Sequence, residues 1–294
     1  MREDLFLPRR SFGGIPQEYS SFEASSVVIL PVPYDSTTSW RAGAREGPQA
    51  IIDASQYLEL YDQELDKEVY RVGVHTLPEV EPVMGDPEGM IQRVYTIAKD
   101  LLQRGKFVIM LGGEHTLTLG MVRAYREGFE PLSVLQLDAH ADLRDRYLGT
   151  KYSHACVMRR VLELCPIAQV GIRSLSLEES QFLKEKGIEP FYTEGLIPDQ
   201  ASQDKLLTTL SSQVYITIDL DVLDPSIMSA VGTPEPGGMS WQGILTILKV
   251  VAQNKRVVGF DLVELCPREG PVACAFLAAK LTYKLIGYAF EPEM

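Results

Sequence analysis

Short runs of continuously apolar, β-branched residues recur along the chain, and they constrain its fold more than any other feature of the sequence. Strands that are apolar on both faces are typical of a parallel sheet covered on both sides, because a half-exposed strand would alternate apolar and polar residues. We predict six such strands: SSVVILPVP (25–33), KFVIMLGG (106–113), LSVLQLD (132–138), AQVGI (168–172), VYITIDLD (214–221) and RVVGFDLVEL (256–265).

Longer stretches with helical spacing lie between these runs. GMIQRVYTIAKDLLQRG (89–105) has apolar residues at helical spacing, and SWQGILTILKVVAQNK (240–255) opens on Ser240, a suitable N-cap. Strands that alternate with helices predict an α/β fold whose parallel sheet lies between helices. Because no long linker, low-complexity tract or repeat interrupts residues 1–294, we predict a single domain.

The charge and the cysteines exclude several classes of protein. A net charge of -12 argues against a nucleic-acid partner, which would require a basic face, and suits a small cationic substrate better. The sequence shows neither a signal peptide nor a run long enough to cross a membrane, so we expect a cytoplasmic protein. Four cysteines are too scattered for a disulfide framework or a CxxC metal site: Cys156, Cys165, Cys266 and Cys274.

Polar residues that can bind metals follow three of the predicted strands directly. Ligands of α/β sheets bind at the carboxyl ends of strands, in the loops that leave them. Two Gly- and Pro-rich segments, 35–50 and 228–238, are interpreted as ordered loops of this kind. The polar residues at the strand ends are His115, Asp138, His140, Asp142, Asp219 and Asp221.

These four carboxylates and two imidazoles form a set without thiolates, which favours hard or borderline divalent ions, manganese first. Two divalent cations would balance the four negative charges, which would otherwise repel one another. A single Asp after a strand is more often a turn former or helix cap than a ligand. The set is more specific, because three of the four histidines, His115, His140 and His154, lie in or just after these motifs. His75 is interpreted as an ordinary surface or satisfied histidine.

GGEHT (112–116), DAHAD (138–142) and the segment 216–240 resemble the three signature motifs of the ureohydrolase family, which includes arginase, agmatinase, guanidinobutyrase and formimidoylglutamase. Residues 31–51 are similar to the N-terminal loop of that family, and FDLVELCP (260–267) to its last active-site strand. The resemblance extends from about residue 28 to about residue 288. It implies a three-layer α/β/α fold with a mostly parallel central sheet and a binuclear manganese cluster at the strand ends.

The resemblance divides the six metal-binding residues between two manganese ions. One site would contain His115 and Asp142, and the other His140 and Asp221. The ions would share one water and lower its pKa. Two further carboxylates would bridge the ions: Asp138 and Asp219.

The resemblance also implies three residues that act on the substrate. Asp142 would relay the first proton, His154 would assist proton transfer to the departing amine, and Glu264 would bind the substrate guanidinium through paired hydrogen bonds. Asp224 and Asp261 are acidic too, but they are interpreted as structural, the first in a turn and the second inside a strand.

The segment LRDRYLG (143–149) differs from the Asn- and Ser/Thr-rich loop of arginase-like members and resembles the agmatinase branch. We therefore predict hydrolysis of agmatine to urea and putrescine, a step of polyamine biosynthesis. N1-aminopropylagmatine, which is longer and more cationic, satisfies the same argument. The segment after Pro267 is predicted to be a loop that faces the substrate tail.

Two alternatives remain open from the sequence. Guanidinobutyrase or formimidoylglutamase would act on a substrate that carries a carboxylate, and this requires a cation near the substrate tail, for which Arg144 is a candidate. A metal-binding protein without catalytic turnover is the other alternative. Family members usually assemble as trimers or hexamers, so the resemblance also implies a homo-oligomer.

Overall fold

A computed structural model describes residues 11–192 and 200–290 of the chain. Its strands, in chain order, are β1 (Val27–Val32), β2 (Tyr61–Asp62), β3 (Lys67–Glu68), β4 (Val74–Thr76), β5 (Phe107–Gly112), β6 (Leu132–Leu137), β7 (Ile167–Ile172), β8 (Phe191–Tyr192), β9 (Gln213–Asp219) and β10 (Arg256–Val263). Eight of them form one parallel sheet in the order β4-β1-β5-β10-β9-β6-β7-β8. The other two, β2 and β3, pair as an antiparallel hairpin.

Helices cover both faces of the sheet. They are α1 (Gln17–Ser20), α2 (Gly47–Ser55), α3 (Pro87–Gln103), α4 (Thr118–Gly128), α5 (Val157–Val161), α6 (Leu177–Lys186), α7 (Gln200–Thr209), α8 (Trp241–Asn254) and α9 (Ala273–Ala289). One apolar core contains buried residues of α2, α7, α8 and α9, and the other contains those of α3 to α6. Successive strand residues alternate between the two cores: Val27 and Ile29 pack on one side, Val28 and Leu30 on the other. The predicted three-layer α/β/α fold is confirmed.

All six predicted strands and both predicted helices are present, with ends that differ by at most two residues. The hydroxyl of Ser240 accepts a hydrogen bond from the Gly243 amide (3.1 Å), as its predicted role as N-cap of α8 requires. The edge strands β4 and β8 were not predicted, because two or three residues are too short to show an apolar run. No helix in the described part of the chain combines the length and apolarity needed to cross a membrane.

The polar motifs follow four neighbouring strands in the middle of the sheet. The strands β5, β10, β9 and β6 lie side by side in that order. Because they are parallel, their carboxyl ends meet at one edge, and the residues that follow them are brought together there. The loop 35–46 leaves β1, the neighbour of β5, at the same edge.

The segment after Pro267 is only partly the predicted loop. A short 3-10 turn covers Pro267–Glu269, and α9 begins at Ala273. Small residues and regularly spaced apolar side chains favour this helix, which packs into the core through its buried face. The prediction of a loop after Pro267 therefore holds for residues 267–272, and the chain is helical from Ala273 onward. The prediction of one domain over 1–294 includes residues 1–10, 193–199 and 291–294, which lie outside the described residues, and it stays a prediction.

Candidate metal centre

The end of β5 passes very close to the loop after β1, and only a glycine fits there. A Cβ atom on Gly113 would lie 1.9 Å from the carbonyl oxygen of Tyr34. The amide of Glu114 donates to that same oxygen (2.8 Å), and the carbonyl of Gly113 accepts from the amide of Glu264 (2.8 Å). These contacts place His115 at the start of a 3-10 turn, with 1% of its side chain exposed.

Three carboxylates surround the Nδ1 atom of His115. It lies 3.1 Å from Asp138 Oδ2, 3.1 Å from Asp142 Oδ2 and 3.6 Å from Asp219 Oδ2. This nitrogen is buried and has no hydrogen-bond partner among the residues that the structure describes. A buried ring nitrogen directed at three carboxylate oxygens is the donor set expected of a divalent cation site. The residues therefore fit a metal ion.

A second group forms around His140. Its Nδ1 lies 2.8 Å from Asp221 Oδ2 and 3.7 Å from Asp138 Oδ1. Ligand atoms of His115, Asp138 and Asp219 lie within 4.8 Å of one another, and so do those of Asp138, His140 and Asp221. Asp138 directs one oxygen toward each histidine, as its predicted bridging role requires. Asp219 belongs to the first group only, so its bridging role stays a prediction.

The second ring nitrogen of His115, Nε2, is held by residues of the sheet. Thr217 Oγ1 lies 2.9 Å from His115 Nε2 and donates to Asp261 Oδ1 at 2.6 Å. The hydroxyl of Tyr215 donates to Asp261 Oδ2 at 2.7 Å. Since the Thr217 proton is directed at Asp261, the hydroxyl accepts from Nε2–H, and Nδ1 keeps its lone pair for a metal.

The side chain of Asp138 is oriented by polar residues inside the strands. Gln136 donates to Asp138 Oδ2 (2.7 Å), and Gln169 on the next strand donates to Gln136 Oε1 (2.6 Å). The amide of His140 donates to Asp138 Oδ1 at 2.6 Å. This network holds the shared carboxylate in one orientation within a core that is otherwise apolar.

The backbone of DAHAD (138–142) turns away from the extended conformation of β6. β6 ends at Leu137, and Asp142 has a left-handed φ of 53°. Its carbonyl accepts from the amides of Met158 (3.0 Å) and Arg159 (3.2 Å) in the first turn of α5. Glu264 is also left-handed, with φ of 67°. Such strain in residues other than glycine is concentrated at functional sites, where the surrounding structure imposes it.

Burial of the carboxylates shifts their protonation. Burial and then the neighbouring Asp138 raise the pKa of Asp142 to about 7. Burial and then Glu114 raise the pKa of Glu264 to about 8. Although burial opposes it, Asp221 and Asp138 raise the pKa of His140 to about 12. The cluster therefore favours added positive charge, which divalent cations would provide.

His154 lies beside the centre and is held by the loop after β1. Its amide donates to Thr37 Oγ1 (3.1 Å), while the amide and hydroxyl of Thr37 donate to the two carboxylate oxygens of Glu114 (2.6 and 2.8 Å). Burial, and then the charges of His115 and His140, lower the pKa of His154 to about 4. The imidazole is therefore neutral at neutral pH.

The predicted site residues share one cavity of about 290 Å³, with Asp138 buried behind the ligands that face it. Trp40 and Tyr147 also line this cavity, as does Arg144, whose guanidinium lies 5.1 Å from the Tyr147 ring centroid and 4.0 Å from Glu179 Oε2. The predicted residues on the wall are His115, His140, Asp142, His154, Asp219, Asp221 and Glu264.

Several supporting residues were missed by the sequence analysis. Asp261 does lie inside a strand, but its carboxylate also accepts the Thr217 hydroxyl that holds His115. Gln136 and Thr217 each precede a predicted ligand by two residues, so the alternation of a strand would place them on the face of that ligand. A polar residue two positions before a ligand was therefore a usable signal. His75, in contrast, bonds the Ser20 carbonyl (2.8 Å), as a satisfied histidine should.

Comparison with known families decides the identity of this centre, because the model of the arginase family matches residues 25–287. The chain belongs to the arginase family. The predicted family is confirmed, and with it the prediction that the chain is a hydrolase. Arginase-family enzymes contain a binuclear metal centre, in agreement with the two ligand groups described above.

Relatives within the arginase family include N(1)-aminopropylagmatine ureohydrolase of Synechocystis, 40% identical over 93% of this chain and 92% of that protein. An agmatinase of Pyrococcus horikoshii is 35% identical over 88% of this chain and 90% of its own length. The crystal structure of agmatine ureohydrolase of Thermoplasma volcanium superposes with a TM-score of 0.87 at 30% identity, covering 97% and 96% of the two chains. The chain thus resembles ureohydrolases over nearly its whole described length.

Proposed function

We propose that this chain hydrolyses the guanidino group of a linear cationic amine to urea and the free amine, with agmatine and its product putrescine as the first candidates. One observation carries the proposal: two ligand groups share Asp138 in a cavity that also contains Glu264 and His154. The two ligand groups suit divalent cations. Glu264 suits a guanidinium, and His154 suits the amine that leaves it.

We further propose two Mn²⁺ ions per chain, one held on the His115 side with Asp142 and the other on the His140 side with Asp221. Asp138 and Asp219 would bridge them. When bound, two such cations supply a nucleophilic water near neutral pH. Oxygen and imidazole donors without a thiolate favour Mn²⁺ over softer metals.

Glu264 is suited to hold the guanidinium. Its Oε1 accepts the amide of His115 (2.7 Å), and the residue lines the cavity that a ligand would enter. Burial raises the pKa of Glu264 to about 8, and a bound cation would lower it again, so the substrate itself favours the ionised carboxylate. Charge-assisted hydrogen bonds then fix the substrate carbon in place for attack.

Asp142 and His154 would handle the protons. Asp142 lines the cavity and would accept the proton of the attacking water. His154 is neutral at pH 7, because its pKa is lowered to about 4, so it would accept a proton at its free ring nitrogen and pass it to the departing amine. The left-handed backbone of Asp142 and the Thr37 bond of His154 hold both groups in place.

N1-aminopropylagmatine is the second candidate, favoured by the 40% identity with the Synechocystis enzyme that bears that name. Substrates with a carboxylate tail are less well supported. Their natural partner, Arg144, already lies 4.0 Å from Glu179 and over the Tyr147 ring. We also propose a cytoplasmic homo-oligomer, a trimer or hexamer, that acts in polyamine synthesis without a nucleic-acid partner.

Urea release by the Mn²⁺-loaded protein tests this function on agmatine, N1-aminopropylagmatine, guanidinobutyrate and arginine. We expect one of the two cationic amines to have the highest kcat/KM, and Glu264→Gln to reduce it by about two orders of magnitude through the lost charge-assisted bond. Arginine as the best substrate would contradict the specificity. Bound Mn²⁺ without urea release from any compound would favour a metal-binding protein without turnover.

A further inference from the structure

Arg173, immediately after β7, binds five backbone carbonyls at the edge of the metal centre. Its guanidinium donates to the carbonyl oxygens of Asp221 (2.6 Å), Glu235 (2.7 and 3.3 Å), Pro236 (3.0 Å), Gly171 (3.2 Å) and Val222 (3.4 Å). One side chain thus joins the ligand-bearing turn after β9 to the Gly- and Pro-rich loop 228–238.

The two carbonyls with the shortest bonds to Arg173 belong to the two acidic residues that flank His140. Asp221 Oδ2 lies 2.8 Å from His140 Nδ1, and Glu235 Oε1 lies 3.8 Å from His140 Nε2. The imidazole therefore lies between two carboxylates whose main chains are attached to the same guanidinium. A rigid connection of this kind sets the distance between them.

The two nitrogens of His140 have different tasks in a metal centre. Nδ1 is directed at the ligand group, and Nε2 is then the N–H that a neighbouring acceptor can bind. A carboxylate on that N–H fixes the tautomer and ring orientation of a metal-binding histidine and raises its basicity. Thr217 and Asp261 meet this need at His115. At His140 the carboxylate that faces Nε2 is that of Glu235, which at 3.8 Å lies just beyond direct hydrogen-bonding distance.

We propose that Glu235 is a positioning residue that orients His140 through Nε2, and that Arg173 holds Glu235 in place for this purpose. The inference rests on the proposed metal-dependent function but concerns metal affinity, not turnover. With 26% of the His140 side chain exposed, water competes for its Nε2–H, and a fixed carboxylate limits that competition.

Titration of metal-free protein with Mn²⁺, with free Mn²⁺ followed by electron paramagnetic resonance, tests the proposal. We expect the wild-type chain to bind two Mn²⁺ ions. In Glu235→Gln we expect the affinity at one site to be about 10- to 100-fold weaker, as is typical when a carboxylate that orients a metal-binding histidine is removed. Arg173→Lys should weaken the same site. If Arg173 acts through Glu235, adding Glu235→Gln to the Arg173→Lys chain should weaken Mn²⁺ binding less than the same substitution does in the wild-type chain.

Glu178→Gln is the matched control, because Glu178 is an exposed carboxylate on α6; it should leave both affinities unchanged. Thermal melts check that each variant folds. Because Glu235 is partly exposed, Glu235→Gln should fold and test the proposal even if Arg173→Lys does not fold. Wild-type affinity at both sites in Glu235→Gln would overturn the proposal. A raised KM for the cationic amine with unchanged Mn²⁺ affinity would instead make Glu235 a contact for the substrate tail. Two bound Mn²⁺ ions without urea release would refute the proposed hydrolysis alone.

Discussion

The two histidines of the metal centre have similar ligand groups and very different surroundings. The side chain of His115 is 1% exposed, and that of His140 is 26% exposed. Residues of two central strands support His115, through Thr217 and Asp261. His140 has beside it Glu235, on a loop that Arg173 attaches to the turn after β9. One half of the centre is thus built into the core of the fold, and the other depends on how a surface loop is held.

Asp138 belongs to both halves of the metal centre, so its substitution should weaken Mn²⁺ binding in both. We expect Asp138→Asn to abolish tight binding of both ions and to lower urea release by at least about three orders of magnitude, since metal stabilisation of the transition state is worth several kcal/mol. Mn²⁺ per chain and kcat measure this outcome. Asp100→Asn, on the exposed face of α3, is the control. Full activity in Asp138→Asn would refute the metal assignment.

His154 belongs to neither half, and its substitution should separate chemistry from metal binding. We expect His154→Asn to lower kcat by about 100-fold, with Mn²⁺ affinity unchanged, because a side chain that relays a proton contributes on that scale. Burial lowers the pKa of His154 to about 4, so its protonation should affect kcat near pH 4 and not near 6.5. Its contribution to stability is present above its unfolded pKa and is lost as the pH falls toward 4. Loss of Mn²⁺ from this variant would contradict a role limited to proton transfer.

Thr217→Val tests only the half of the metal centre that contains His115. The change keeps the shape of the side chain but leaves His115 Nε2–H and the Asp261 carboxylate without their shared hydroxyl. We expect about tenfold weaker Mn²⁺ binding at one site and a loss of about 1 to 3 kcal/mol in the free energy of unfolding. Denaturant unfolding and Mn²⁺ titration measure both effects. Thr217→Ser keeps the hydroxyl and should stay near wild type.

Denaturant unfolding and Mn²⁺ titration of Glu235→Gln test the His140 half of the centre in the same way. Because Glu235 is partly exposed, its substitution should weaken metal binding with little loss in the free energy of unfolding. Equal losses of stability in Thr217→Val and Glu235→Gln would mean that the two halves do not differ in the way their exposure indicates.

Removal of the metal should lower the thermal stability of the chain. A ligand at one hundred times its Kd stabilises the folded state by about 2.7 kcal/mol, which for a chain of this size raises Tm by roughly 5 °C for each ion. We expect chelation to lower Tm and Mn²⁺ to restore it, with more Mn²⁺ needed in Glu235→Gln than in wild type. A Tm that does not respond to Mn²⁺ in the wild-type chain would contradict the site.

Much of the centre was predictable because it follows a simple rule of parallel sheets. His115, Asp138 and Asp219 each lie within three residues of the end of a buried strand, and parallel strands bring their ends together. The position of Asp142 depends on more than the end of a strand, because the backbone turns left-handed there and α5 holds the turn. Glu264 and His154 were found only through the resemblance, since neither has a second ligand at close spacing.

By itself, the sequence determined the strands, the helical layers and the six residues at the strand ends, because the spacing of apolar residues and the sites where strands stop are local properties of the chain. Only the tertiary structure decided which groups hold them. Thr217 contacts His115 across 102 positions of the chain and links it to Asp261, 44 positions further on. Glu235 lies beside His140 on a loop that Arg173 holds. Such contacts depend on strand order and loop path, which no local pattern of residues specifies.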